Sequence, residues 1–128
     1  MKLNLPNECS NSPKQRLIQE LFLSFAKRDY AAIIDYITND VIWEIVGERM
    51  MTGKEDVHAF FEAYGTEPIE EIVLDYILTH GKFGAVGGKI IMATHIVYFA
   101  EFYDFATAGS KKIRKIKSFV IQEPKPAY

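Results

Sequence analysis

The sequence predicts an α+β domain in which helices from the first half cover a strongly curved antiparallel sheet built mainly from the second half. Two observations carry this. Apolar residues recur at helical spacing up to about residue 64, and the period changes to two from Ile69 onward, with links short enough to favour antiparallel neighbours.

Residues 1–11 carry Pro6 and Cys9, show no period, and are expected to form a loose arm. Ser12, Pro13 and Gln15 then supply a cap, a first-turn proline and a capping-box partner. Leu17, Leu21 and Phe25, with Ile18 and Phe22 beside them, form one apolar stripe, so a helix is predicted over 13–28. Asp29 caps a second, short helix whose Tyr30, Ile33, Ile34 and Ile37 share a face, and Thr38, Asn39 and Asp40 end it. Residues 41–46 are β-branched and aromatic and read as a first strand closed by Gly47, with Val41, Trp43 and Ile45 on one face. Thr52 and Glu55 form another capping box, before a helix that buries Val57, Phe60, Phe61 and Tyr64 and stops at Gly65 and Pro68.

Further strands are expected near 70–80, 84–92, 95–106 and 111–121. The folded domain therefore spans 12–122, and Pro124 with Pro126 predicts a mobile tail over 123–128. The run from His95 to Phe105 is apolar or aromatic on both faces and needs cover on both sides. Helices supply one cover. A second copy packed on the outer sheet face is the economical source of the other, so a homodimer is expected.

With 48% apolar residues in 128, one domain with a sizeable core is the default. Fifteen basic and seventeen acidic side chains leave a net charge of −2, which offers no general attraction to nucleic acid or to an anionic membrane. The expected partner is a small apolar organic ligand. Cys9 is the only cysteine, so no internal disulfide forms and a reducing cytoplasm fits. No signal peptide is apparent, and His95, Glu101 and Asp104 interrupt the longest greasy region, so no membrane span is expected. Three histidines without paired spacing predict no metal, and no other cofactor is expected. His80 and His95 fall at strand ends, where a place at a pocket mouth competes with the commoner, purely structural role. The glycine-rich stretch 81–89 fails as a phosphate loop, because Phe83 stands at its first glycine and Ile90 where Ser or Thr would be needed. Lys111, Lys112, Arg114, Lys115 and Lys117 are read as protection of an edge strand.

The order helix, helix, strand, helix, four strands, with Asp40 to Gly47, Thr52 to Glu55 and Lys112 to Val120, resembles the NTF2-like superfamily. Its SnoaL-like, ketosteroid-isomerase-like bacterial branch is the most similar. The resemblance covers roughly residues 12–122 and implies a cone: a bent sheet wrapped around the first helix, an apolar pocket at its open end, and dimers through the outer sheet face. It also implies where chemistry would sit. In isomerases of the superfamily a proton-shuttling carboxylate lies five residues after the aspartate opening the first strand, which here is Ile45. The neighbouring Glu44 points to the opposite face. A protonated carboxylic acid that stabilises an oxyanion matches Glu101, and the catalytic aspartate of related epoxide hydrolases matches Ser118.

Glu101, flanked by Phe99, Phe102, Tyr103 and Phe105, is the candidate catalytic residue, since an apolar setting raises a carboxyl toward the range of a general acid. The competing reading pairs it with a tyrosine or basic side chain on a neighbouring strand, or places it at the dimer seam. Trp43, Tyr103, Ile45, Phe99 and Ser118 are the candidate ligand-binding residues; Trp43 reads more readily as a core aromatic, and Tyr103 equally as a buried tyrosine satisfied by backbone. Three functions follow: a pocket protein running proton-transfer, isomerase or lyase chemistry, a non-catalytic binding or dimerisation module, or a protein-docking domain.

Overall fold

The computed structural model describes residues 2–6, 12–65 and 67–126. Its elements are β1 (Lys2–Asn4), α1 (Pro13–Ala26), α2 (Tyr30–Asp35), β2 (Ile37–Ile45), β3 (Arg49–Thr52), α3 (Gly53–Glu62), β4 (Ile69–His80), β5 (Phe83–Met92), β6 (His95–Phe105) and β7 (Ile113–Pro124). The strands form one curved, unclosed sheet in the order β1-β4-β5-β6-β7-β2-β3.

Helix α1 begins as its sequence dictates: Ser12 Oγ accepts from the Gln15 backbone N–H at 3.3 Å, and Pro13 occupies the first turn. Leu17, Ile18, Leu21 and Phe22 are its buried stripe, and Phe22 stacks on Phe99 of β6 at 4.9 Å between ring centroids. The helix stops at Ala26, and Arg28 turns the chain with a φ of 58°. That left-handed conformation is unusual for a side chain with a Cβ. Two hydrogen bonds of 2.8 Å oppose its cost, from the Arg28 guanidinium to the carbonyls of Gly65 and Glu67, and they tie the α1–α2 junction to the loop before β4.

The four long strands form an antiparallel meander, as predicted. The sheet as a whole is mixed, because β1 lies parallel to β4 and β2 parallel to β7. Alternation tells a strand which side chains face inward but not which neighbour it takes or in which direction. The parallel pairing also moves β7 to the interior between β6 and β2, which removes the edge role expected for its basic residues.

Four boundaries differ from the sequence reading. Lys2–Asn4, expected as loose arm, forms a strand, whereas Cys9 and the rest of 7–11 lie outside the described residues. Ile37 opens β2 instead of closing α2; it is fully buried in either role, so its apolar character could not choose. The hairpin strand β3 went unpredicted, although Gly47 with a φ of 81° turns the chain between β2 and β3. At the far end Glu123 and Pro124 still pair with Ile96 and His95, so the first part of the expected mobile tail is sheet, while 127–128 lie outside the described residues. Helix α3 is closed by Asp56 rather than Glu55: the Thr52 backbone N–H donates to Asp56 Oδ2 at 2.9 Å.

One irregularity of the sheet is fixed by glycine. The β4–β5 register shifts between Leu74 and Tyr76, opposite Gly88 and Gly87. A Cβ on Gly88 would stand 2.0 Å from the Val73 carbonyl oxygen, so only glycine lets the two backbones approach this closely.

Candidate functional site

Between the concave sheet face and the three helices lies a cavity of about 520 Å³. α1 supplies Phe22 and Phe25, α3 supplies Phe60 and Phe61, Tyr64 follows just beyond it, and the inner faces of β2, β6 and β7 supply most of the remainder. Trp43 meets Phe61 edge to face at 5.8 Å, which holds the indole plane against α3.

All six residues singled out from the sequence, Glu101, Tyr103, Phe99, Trp43, Ile45 and Ser118, line this cavity. Sheet register brings them together. Glu101 of β6 lies opposite Ser118 of β7, which lies opposite Ile45 of β2; one row along, Tyr103 lies opposite Ile116, which lies opposite Trp43. Glu44, on the other face of β2, does not line the cavity.

These side chains form a polar chain within an apolar wall. Tyr103 Oη donates to Glu101 Oε1 at 2.7 Å, and Ser118 Oγ donates to Glu101 Oε2 at 2.6 Å. The Trp43 indole Nε1–H donates to Ser118 Oγ at 2.9 Å. Glu101 thus pairs with a tyrosine on its own strand and a serine on the next, rather than with a basic group.

Burial raises the Glu101 carboxyl above the usual carboxylate range; the hydrogen bonds from Ser118 and Tyr103 pull the other way without cancelling it. Burial also pushes the Tyr103 phenol well above its ordinary value, and the adjacent Glu101 charge and hydrogen bond add to the rise. The arrangement therefore holds a neutral phenol against a carboxyl whose charged form is disfavoured.

Neither His80 nor His95 lines this cavity. His80 is exposed at the opposite end of the sheet, and His95 pairs with Glu67 at 2.9 Å, outside the cavity lining. Sequence reasoning missed Glu48 of the β2–β3 turn and Arg49, the first residue of β3, which line the cavity, with the Arg49 guanidinium 5.1 Å from the Phe60 ring centroid. Gly47 between two short apolar runs was the available signal. Among the described residues, no group of three or more His, Cys, Asp or Glu side chains is placed to hold a metal ion. Nor, among the described residues, is any helix long and apolar enough to cross a membrane.

No protein-family model matches the sequence, and no curated protein matches it. Solved structures do. The epoxide hydrolase/cyclase-like enzyme SalBIII, which has a role in pyran ring formation in the polyether salinomycin, superposes with a TM-score of 0.74 at 18% identity, over 88% of this chain and 95% of that one. A ketosteroid isomerase candidate from Kribbella flavida gives 0.70 at 16% identity, over 88% and 81%. An NTF2-like protein from Burkholderia xenovorans gives 0.70 at 15% identity, over 91% of both chains. The chain has the NTF2-like cone fold. That fold hosts many activities, so the site must carry any functional reading.

Proposed function

We propose that this protein is a cytosolic homodimer that binds a small, largely apolar organic molecule in the mouth of the cone, with Glu101 as the acid of a proton-transfer, isomerisation or lyase reaction. The observation that carries the reading is the hydrogen-bonded carboxyl of Glu101 in a cavity otherwise walled by aromatic and aliphatic side chains. A few convergent polar groups in a concave apolar site are what small-molecule recognition requires. The similar structures described as isomerase and epoxide hydrolase/cyclase-like support the same class of ligand.

The dimer reading rests on the opposite side of the sheet. Tyr76, Leu78, Phe102, Phe119 and Ile121 are exposed large apolar residues there, and contiguous apolar surface of this kind marks interaction sites. Phe102 and Phe119 already meet edge to face at 6.0 Å across β6 and β7.

A specific residue favours a second reading, a binding module without turnover. Ile45 places an inert side chain where the resemblance expects a proton-shuttling carboxylate. Two measurements separate the readings. Carbon-detected NMR should show Glu101 titrating above an ordinary carboxylate, and an ordinary value would remove its acid role. The protein should also accelerate deuterium exchange beside the carbonyl of apolar ketones, and Glu101→Gln should abolish this while leaving the fold intact. Exchange equal in the parent and Glu101→Gln would leave the binding module standing.

A further inference from the structure

We propose that Arg49 sets the class of molecule the cavity takes: a monocarboxylate whose apolar body lies across Ile45 toward Glu101, with its acid group held by the Arg49 guanidinium at the mouth. This rests on the cavity reading above and names its ligand class.

Register places the residue. Glu101 of β6 lies opposite Ser118 of β7, Ser118 opposite Ile45 of β2, and Ile45 opposite Arg49 of β3, so one row crosses four strands. Side chains in such a row project from the same face, and Arg49 therefore shares the concave side with Glu101. Strand spacing puts about 14 Å between the Cα atoms at the two ends of the row. The inner end is closed and the outer end open: Ser118 is 2% exposed, whereas Arg49, on edge strand β3, is exposed.

Arg49 is the one Lys or Arg among the described residues that line the cavity. Its guanidinium lies over the Phe60 ring at 5.1 Å, a contact that steadies the group and uses none of its N–H donors. Among the described residues no carboxylate pairs with it. A guanidinium held on a ring with its planar fork unoccupied matches a carboxylate, which it takes through two parallel N–H bonds.

The inner end of the row excludes the reverse orientation. A ligand carboxylate pushed inward would be buried beside Glu101, whose own charged form burial already disfavours. Ile45, Phe60 and Phe61 offer no polar side-chain group, so they suit a ring or an alkyl chain. Glu48, the other charged group at the mouth, precedes Arg49 and does not pair with it. Its charge opposes a second negative group, so the ligand selected is a monoanion rather than a diacid.

The probes are 2-naphthaleneacetate, 2-naphthaleneacetamide and (2-naphthylmethyl)trimethylammonium, which share one ring system and differ in charge. Trp43 is the single tryptophan and lines the cavity, so its indole N–H signal in an NMR titration reports occupation. The parent should bind the acetate about fivefold more tightly than the amide, the upper end for an exposed ion pair, and added salt should shrink the advantage. Arg49→Gln should bring the acetate to the level of the amide. Arg49 is exposed and its side chain donates no hydrogen bond within the described residues, so this variant should fold as the parent does. Arg49→Lys keeps the charge without the fork and should fall between, while Glu48→Gln should tighten the acetate by about twofold. Equal affinity for acetate and amide in the parent, or a preference that survives Arg49→Gln, overturns the assignment. Tightest binding by the ammonium probe also overturns it, by making Glu48 the anchor. In all three of those results the Trp43 signal still moves, and the cavity reading stands. If no probe moves that signal at millimolar concentration, the cavity reading falls and this one with it.

Discussion

The two faces of β6 are made from similar residues and sit in opposite surroundings. Inward, Val97, Phe99, Tyr103 and Phe105 are buried, and Glu101 between them is the polar centre of an apolar hollow. Outward, Tyr98 and Phe102 remain 38% and 49% exposed, in a face that continues through Phe119 and Ile121 of β7. Aromatic content therefore says little about task. Which side of the pleat a ring occupies decides whether it walls a cavity or waits for cover.

Breaking the inner face should have the larger effect. Phe105 is fully buried, so Phe105→Ala leaves a void, and chemical denaturation should show a loss of about 3–5 kcal/mol. A loss under about 1 kcal/mol would mean that this end of the core is loosely filled. On the outer face the double change Phe102→Lys with Phe119→Lys should leave the fold intact but weaken self-association by more than about tenfold, since buried interface aromatics dominate binding energy. Sedimentation equilibrium reads this directly. A parent protein that is monomeric at all concentrations would refute the outer-face dimer.

Smaller changes sharpen the contrast within the inner face. Ser118→Ala deprives both the Trp43 indole N–H and Glu101 Oε2 of their partner, and should cost about 1–3 kcal/mol. An exposed serine on the outer side of the same sheet would cost almost nothing. If Ser118→Ala proves neutral, the polar chain is not a satisfied unit.

The sequence disclosed these faces better than it disclosed their neighbours. Alternation along β6 set Glu101 and Tyr103 on one side, whereas Ser118 was singled out only by the resemblance. It could not reveal that β7 takes β2 as a parallel partner, because Trp43 and Ser118 are 75 residues apart and pairing direction leaves no local mark. The resemblance marked Ser118 as an absent aspartate, whereas its role as acceptor for Trp43 and donor to Glu101 emerged only from register. Arg49 and Glu48 were lost with the hairpin that carries them, since β3 is four residues long and too short for a period to register.

The finest test compares Glu101 with its neutral isostere across pH. Because folding raises the carboxyl above its unfolded value, the folded chain holds this proton more tightly than the unfolded chain does. The stability this confers is complete below the unfolded value and is lost as pH climbs through the folded one. Glu101→Gln carries no such proton. Its melting temperature relative to the parent should therefore rise steadily across that window and level off above it. A difference at Glu101 that is flat, or that falls as pH rises, would mean that the hydrogen bonds from Ser118 and Tyr103 outweigh burial. The carboxyl would then be a charged anchor in the cavity wall and unable to serve as its acid.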